Sequence, residues 1–176
     1  DLDYGYDEDW TYTGIHPWGY TSTDYYLRDR DSFSVETRLI SADGGSLDWV
    51  AGAYRLDSDE TLQRRYTFAA DFDSRYDFAT SAVFGELNFN LTDELRLETG
   101  LRFERRSTQY DDNNLVSFRP KDDMWGGRLG LAHYTDGTLL YASIARGYKA
   151  GGFNTDGTLD ADLRAFDPET LTELEF

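Results

Sequence analysis

The sequence predicts an all-β fold, an antiparallel up-and-down sheet that forms about six to seven strands of the wall of a larger transmembrane β-barrel. Three observations predict it. Aromatic residues make up 16% of the 176 residues and proline only 3 positions, a composition that suits strands better than helices or disorder. Apolar residues recur at every second position through six segments, 32–41, 47–56, 79–91, 95–105, 124–134 and 139–148, with a seventh opening near 170. The connections between these segments alternate between tight and long without exception.

The tight connections carry turn residues: Ala42, Asp43, Gly44, Gly45 and Ser46 after the first strand, Thr92, Asp93 and Glu94 after the third, and Thr135, Asp136, Gly137 and Thr138 after the fifth. The long ones are polar and cover 7–30, 57–78, 106–122 and 149–168. A barrel through an outer membrane segregates its short turns to the periplasmic side and its long loops outside, whereas a soluble meander has no reason to do so. No apolar run is long enough for a membrane helix, but a barrel strand needs only about ten alternating residues, so a negative mean hydropathy is no obstacle. The alternating repeat of Thr-Asp-Gly-Thr-Leu at 135–139 and 155–159 is turn composition and not a repeat architecture.

Turn length fixes which face each side chain meets. In 79–91, Val83, Leu87, Phe89 and Leu91 share one face, and Thr80, Phe84, Glu86 and Asn88 the other. In 95–105, Leu95, Leu97, Leu101 and Phe103 oppose Arg96, Glu98, Arg102 and Glu104. The apolar set suits lipid and the other a wet lumen, and the three-residue connection 92–94 keeps the two strands in phase. Asp136 and Gly137 are a favoured type I′ pair, which places Trp125, Leu129 and Leu131 outward beside Tyr148, Ile144 and Ala142, with Leu140 opposite His133. Trp125 and Tyr148 would form part of an aromatic girdle. A two-residue turn centred on Asp43 and Gly44, or on Gly44 and Gly45, would send Phe33, Val35, Leu39, Val50, Tyr54 and Leu56 outward and turn Trp49 and Arg55 into the lumen.

A net charge of −17 argues against nucleic acid as a partner, because phosphate binding needs a basic surface. The absence of cysteine removes disulfides and thiolate chemistry, and the two histidines, His16 and His133, fall too far apart to make a catalytic pair. Gly147 to Gly152 is not a phosphate loop, since Lys149 precedes its glycines. Asp1, Asp3, Asp7, Glu8 and Asp9 lack the spacing of a calcium loop and read as a hydrated acidic segment. The sequence thus predicts no enzyme, no bound metal and no cofactor. Candidate ligand-binding residues are the aromatics of the first long connection, Trp10, Tyr12, Trp18, Tyr20, Tyr25 and Tyr26, together with Arg64 and Arg65. Packing on neighbouring strands is the competing role for those rings. Arg55, Arg64, Arg65, Arg102, Arg105 and Arg128 either attract an anionic iron complex near the lumen mouth or pair with Glu86, Glu98 and Glu104 on a solvated inner face.

The string 140–154, which runs through Tyr141, Arg146, Gly147, Lys149, Gly151, Gly152, Phe153 and Asn154, resembles the barrel motif of TonB-dependent receptors, a strand entering a Gly-Gly-Phe-Asn loop. Supporting strings lie at 84–87, 91–95, 99–104, 35–39, 48–52 and 166–170, in family order. The resemblance implies that 1–176 is a partial β-barrel domain from a barrel of about 22 strands. It also implies an N-terminal plug, a TonB-contacting segment and final strands outside this chain. The implied role of the parent protein is TonB-energised import of a scarce ligand, an iron–siderophore complex, across the outer membrane of a Gram-negative bacterium. Its implied partners are TonB, the inner-membrane energising complex, outer-membrane lipid and lipopolysaccharide. A passive porin-like barrel and a soluble β-sandwich hydrolase are the alternative readings.

Overall fold

The computed structural model describes residues 2–10, 20–42, 45–155 and 159–176, with side chains from Asp24 onward except Ala161. In chain order the elements are β1 (Leu2–Trp10), β2 (Tyr20–Ile40), β3 (Leu47–Tyr66), β4 (Phe72–Asn90), β5 (Leu95–Asp112), β6 (Ser117–Phe118), β7 (Lys121–Thr135), β8 (Thr138–Lys149), β9 (Gly152–Phe153), a 3₁₀ turn (Ala161–Leu163), β10 (Ala165–Phe166) and β11 (Glu169–Glu175). The long strands form one antiparallel sheet in the order β1-β2-β3-β4-β5-β7-β8-β11, with β6 paired to the far end of β5. β9 and β10 make a separate two-residue ribbon. The all-β, up-and-down expectation holds, with sequential neighbours throughout.

The predicted long loops are mostly strand. β1 and the start of β2 pair across 7–30, with Trp10 opposite Tyr20, and β3, β4 and β5 run through much of 57–78 and 106–122. β3 alone has 20 residues, about 65 Å at roughly 3.3 Å per residue, twice the roughly 30 Å of bilayer hydrocarbon. Beyond the membrane both faces of a strand are wet, so polar residues occupy both and the alternation that marks a strand disappears.

Two of the three tight hairpins have the expected register. Phe89 pairs with Leu97 and Leu87 with Thr99, while the Leu91 amide donates to the Leu95 carbonyl at 2.8 Å. Thr92 Oγ1 closes that turn by accepting from the amides of Glu94 and Leu95. Thr135 pairs with Thr138, and Asp136 and Gly137 both have positive φ, 45° and 78°, as a type I′ turn requires. Leu129, Leu131 and His133 accordingly face Ile144, Ala142 and Leu140.

The first hairpin departs from expectation. The Ser41 amide donates to the Trp49 carbonyl at 2.9 Å, and the Trp49 amide donates back to Ser41 Oγ at 3.0 Å. Ser41 therefore stands opposite Trp49, an odd-to-odd pairing that preserves the parity that a two-residue turn would have swapped. Trp49 and Arg55 lie opposite Leu87 and Ser81 on the outer face, not in the lumen, and Val50, Tyr54 and Leu56 face inward.

With the register set, the two faces separate cleanly. Phe33, Leu39, Val83, Leu101, Phe103 and Ile144 stand exposed on the outer face, as lipid requires and water would penalise. Directly above this band the outer face becomes charged, with Arg55 bonded to Asp57 and Arg105 to Asp123 at 2.5 and 2.9 Å. The inner face carries Arg102 bonded to Glu104 at 2.7 Å and Glu98 3.8 Å from Arg128, as expected. Arg102 also lies over the rings of Tyr54 and Phe84, which places aromatic faces in the lumen beside the charges.

Candidate functional site

At the outer end of the inner face, the connection from β8 to β11 folds back onto β5 and β6. Phe153 inserts between Tyr110 and Phe118, with ring centroids 4.6 and 4.8 Å away. Arg164 follows it inward and is 2% exposed. Its Nε donates to the Asn154 carbonyl at 2.8 Å, Nη1 to Asp112 Oδ2 at 3.1 Å and Nη2 to the Tyr110 hydroxyl at 2.5 Å. The guanidinium also lies 4.5 Å from the Phe153 ring and 5.1 Å from that of Tyr110. The Tyr110 hydroxyl donates in turn to Asp112 at 2.8 Å. The glycines of the motif permit the fold-back: a Cβ on Gly151 would fall 2.7 Å from the Phe166 carbonyl, and one on Gly152 2.5 Å from the Phe166 ring.

Burial first, and then its bond to Asp112, push the Tyr110 hydroxyl up to about 12, against the opposing pull of Arg164. Burial raises Asp112 as well, but bonds from Tyr110, the Val116 amide and Arg164 together hold it below the usual carboxylate range. Tyr110 favours docking in its neutral form, so its contribution is complete below about pH 10 and is lost as pH rises through about 12. The Asp112 contribution is complete above about pH 4 and is lost as pH falls through its depressed value. Alkaline difference absorbance between the receptor and a Tyr110→Phe variant should show a phenol that ionises near pH 12; ionisation near 10 would contradict the buried cluster.

Beside this cluster lies a cavity of about 360 Å³, within the range of small-molecule sites. β2 and β3 supply Tyr26, Arg28, Leu62, Arg64 and Tyr66, and Asn154 and Thr155 of the folded-back segment close another side. Arg64 sits 5.0 Å from the Tyr26 ring and 5.4 Å from that of Tyr66, and it grips buried Asp24 through two bonds of 2.8 and 2.6 Å. Its charge is thus locally balanced, and the cavity presents aromatic surface and polar edges without a strong net field.

The candidate ligand residues divide between the faces. Tyr26 and Arg64 are cross-strand partners on the inner face and line the cavity. Tyr25 and Arg65 are the next pair and face outward, where Arg65 bonds Asp73 at 2.8 Å and lies 3.3 Å from Asp71. Trp10 and Tyr20 are backbone partners at the end of the described β1–β2 ladder. Tyr12, Trp18 and His16 lie outside the described residues, as do Asp43, Gly44 and most of the second Thr-Asp-Gly-Thr string.

The motif residues also divide. Tyr141 donates to Glu175 at 2.8 Å, Arg146 stacks 4.1 Å from the Trp125 ring and bonds its carbonyl, and Lys149 lies 3.8 Å from Glu169. Gly147 meets no neighbour that a Cβ would touch. Tyr148 is corrected to the inner face: its hydroxyl accepts from Arg102 at 3.0 Å and donates to Glu104 at 3.1 Å. The β7–β8 ladder ends at Gly127 and Arg146, and the Tyr148 ring covers Gly126, where a Cβ would come within 3.0 Å of it. The girdle pair of Trp125 and Tyr148 is therefore absent. Arg164, Tyr110, Asp112 and Phe118 went unnoticed in the sequence, where the only signal was aromatic residues inside segments read as loops.

A wall with a lipid-facing outer surface, a wet inner surface and a motif loop folded inward is matched by one family model, "TonB dependent receptor-like, beta-barrel", over residues 1–176. The chain belongs to this family. It is accordingly a segment of an outer-membrane barrel of a Gram-negative bacterium and not an enzyme. It is 29% identical to the pesticin receptor of Yersinia enterocolitica serotype O:8 / biotype 1B over 194 aligned residues, which cover 96% of this chain and 28% of that receptor. The chain therefore spans little more than a quarter of that relative's length. Among solved structures, the ferric yersiniabactin uptake receptor FyuA from Yersinia pestis superposes with a TM-score of 0.67 at 24% identity, over 87% of this chain and 26% of that one. The copper transporter OprC superposes with a TM-score of 0.61 at 18% identity, over 92% and 29%. At these identities the two structures speak for the fold alone.

Proposed function

We propose that the receptor carrying this chain imports an iron–siderophore complex across the outer membrane, driven through contact with TonB and the inner-membrane energising complex. The observation that carries this reading is the cavity at the outer end of the inner face, where Tyr26 and Tyr66 flank Arg64. A metal complex wrapped in organic ligand presents flat, partly aromatic surface, which stacks on such rings without a full counter-charge. The family supports the TonB partnership, and the pesticin and ferric yersiniabactin receptors supply relatives of the expected kind.

The test is growth and metal uptake in a strain that has only this receptor, offered ferric yersiniabactin or a copper salt as the limiting metal source. Ferric yersiniabactin uptake that stops when TonB is deleted is the expected result. Tyr26→Ala should raise its half-saturating concentration by about 3- to 10-fold, equivalent to about 0.5–1.5 kcal/mol of ring stacking. Copper uptake without iron uptake, or a Tyr26→Ala receptor with unchanged half-saturation, would sink the reading.

A further inference from the structure

We propose that Arg164 is a positioning residue that fastens residues 151–155 and 164–166 to the inner face as a permanent strap, so that Asn154 and Thr155 form a fixed side of the cavity. The alternative for an inward-folded outer loop is a lid that swings shut on its ligand. A lid is held by few buried contacts, so that it can open at little cost. This segment is held by a buried guanidinium whose three nitrogens all bond, to the Asn154 carbonyl, to Asp112 and to Tyr110.

Opening the strap would take from the Asp112 carboxylate, whose side chain is fully buried, its ion-pair partner Arg164, and leave it the bonds from the Tyr110 hydroxyl and the Asn114 and Val116 amides. A buried charge that loses its partner carries a large penalty, which keeps the open state sparsely populated. The segment is also stitched to itself. The Asn154 amide donates to the Arg164 carbonyl at 2.7 Å, continuing the β9–β10 ribbon up to the residue that latches it. Arg164 therefore acts on the cavity through Asn154, which borders both. That the cavity takes a siderophore rests on the function proposed above; that the strap is fixed does not.

The experiment uses the whole receptor in detergent and needs no siderophore for its main readouts. Hydrogen exchange at the Asn154 amide reports the strap. Maleimide labelling of a Leu62→Cys change, made in a receptor whose cysteines outside this chain are replaced by serine, reports the cavity, since Leu62 lines it at 7% exposure and this chain has no cysteine. Both should be slow in the parent and at least ten-fold faster in Arg164→Ala, with partial rescue by Arg164→Lys. Heat-modifiable gel migration should stay unchanged, which shows an intact barrel; Asp112→Asn replaces Arg164→Ala if that variant fails to fold. Fast exchange at Asn154 in the parent overturns the strap, as does protection that appears only when ferric yersiniabactin is added. Unchanged labelling of Leu62→Cys in an Arg164→Ala receptor with fast exchange overturns the positioning role. A receptor that fails to import ferric yersiniabactin yet shows the expected exchange and labelling loses the proposed ligand and keeps the strap.

Discussion

Replacing Leu101 by arginine should lower the stability of the receptor in a bilayer by about 2–4 kcal/mol, the cost of a guanidinium on the lipid face near the membrane midplane. Leu101 lies in the outer-face row that runs from Leu95 to Phe103 on β5, opposite Gly85 on one side and Gly127 on the other. Those glycines leave a shallow apolar floor without a polar neighbour for a charge to reach. The matched control is Ser107→Arg, on the same strand and face, six positions further out and roughly 20 Å along the strand. Above the band that change should cost no more than about 0.5 kcal/mol, as for an ordinary surface site. Denaturant titration of the receptor folded in lipid vesicles measures both. Equal losses at the two positions would mean that no hydrophobic band separates them. Arg102, one position from Leu101, already shows how the inner face holds the same side chain, in contact with Glu104, Tyr148 and two rings.

Phe153→Ala should undock the strap. The ring is buried between Tyr110 and Phe118 and lies under Arg164, and truncating a buried phenylalanine costs about 3–5 kcal/mol. Most of that cost is local, because the long ladders from β2 to β8 do not pass through Phe153. Trypsin provides the readout. Arg164 is buried in the parent and should resist cleavage, whereas the variant should be cut there before the barrel is touched. A variant that remains uncut at Arg164 would show that the strap holds without its aromatic plug.

What could be read from the sequence, and what could not, follows where each residue lies relative to the bilayer. Within the membrane one face is lipid and the other water, so Leu87, Phe89, Leu97 and Leu101 separate from Glu86, Glu98 and Arg102, and the strands announce themselves. Asp136 and Gly137 do the same for their turn, because only residues tolerant of positive φ serve there. The glycine-rich string between Ser41 and Leu47 is compatible with several registers, and the pairing of Ser41 with Trp49 selects one that composition does not reveal. Outside the membrane the periodic signal disappears, and 57–66 or 106–112 read as polar loop although they continue β3 and β5. The site suffers most from this loss. Arg164 is one arginine in a polar stretch, and nothing local distinguishes it from Arg119, which stays half exposed beside Asp111. Its importance arises from contacts to residues more than fifty positions away.

The length of β2 to β5 has a consequence for how this surface changes over generations. The hairpins that rise past the bilayer keep their backbone hydrogen bonds to the tip, so their silhouette is set by the ladder and not by the side chains. Outward residues there, such as Thr61 or Gln109, can be exchanged one by one for others of different charge or size without moving a strand. The receptor thus offers the outside world a rigid relief whose chemistry can drift freely, and whatever large molecule binds that relief must follow a moving sequence on an unchanging shape.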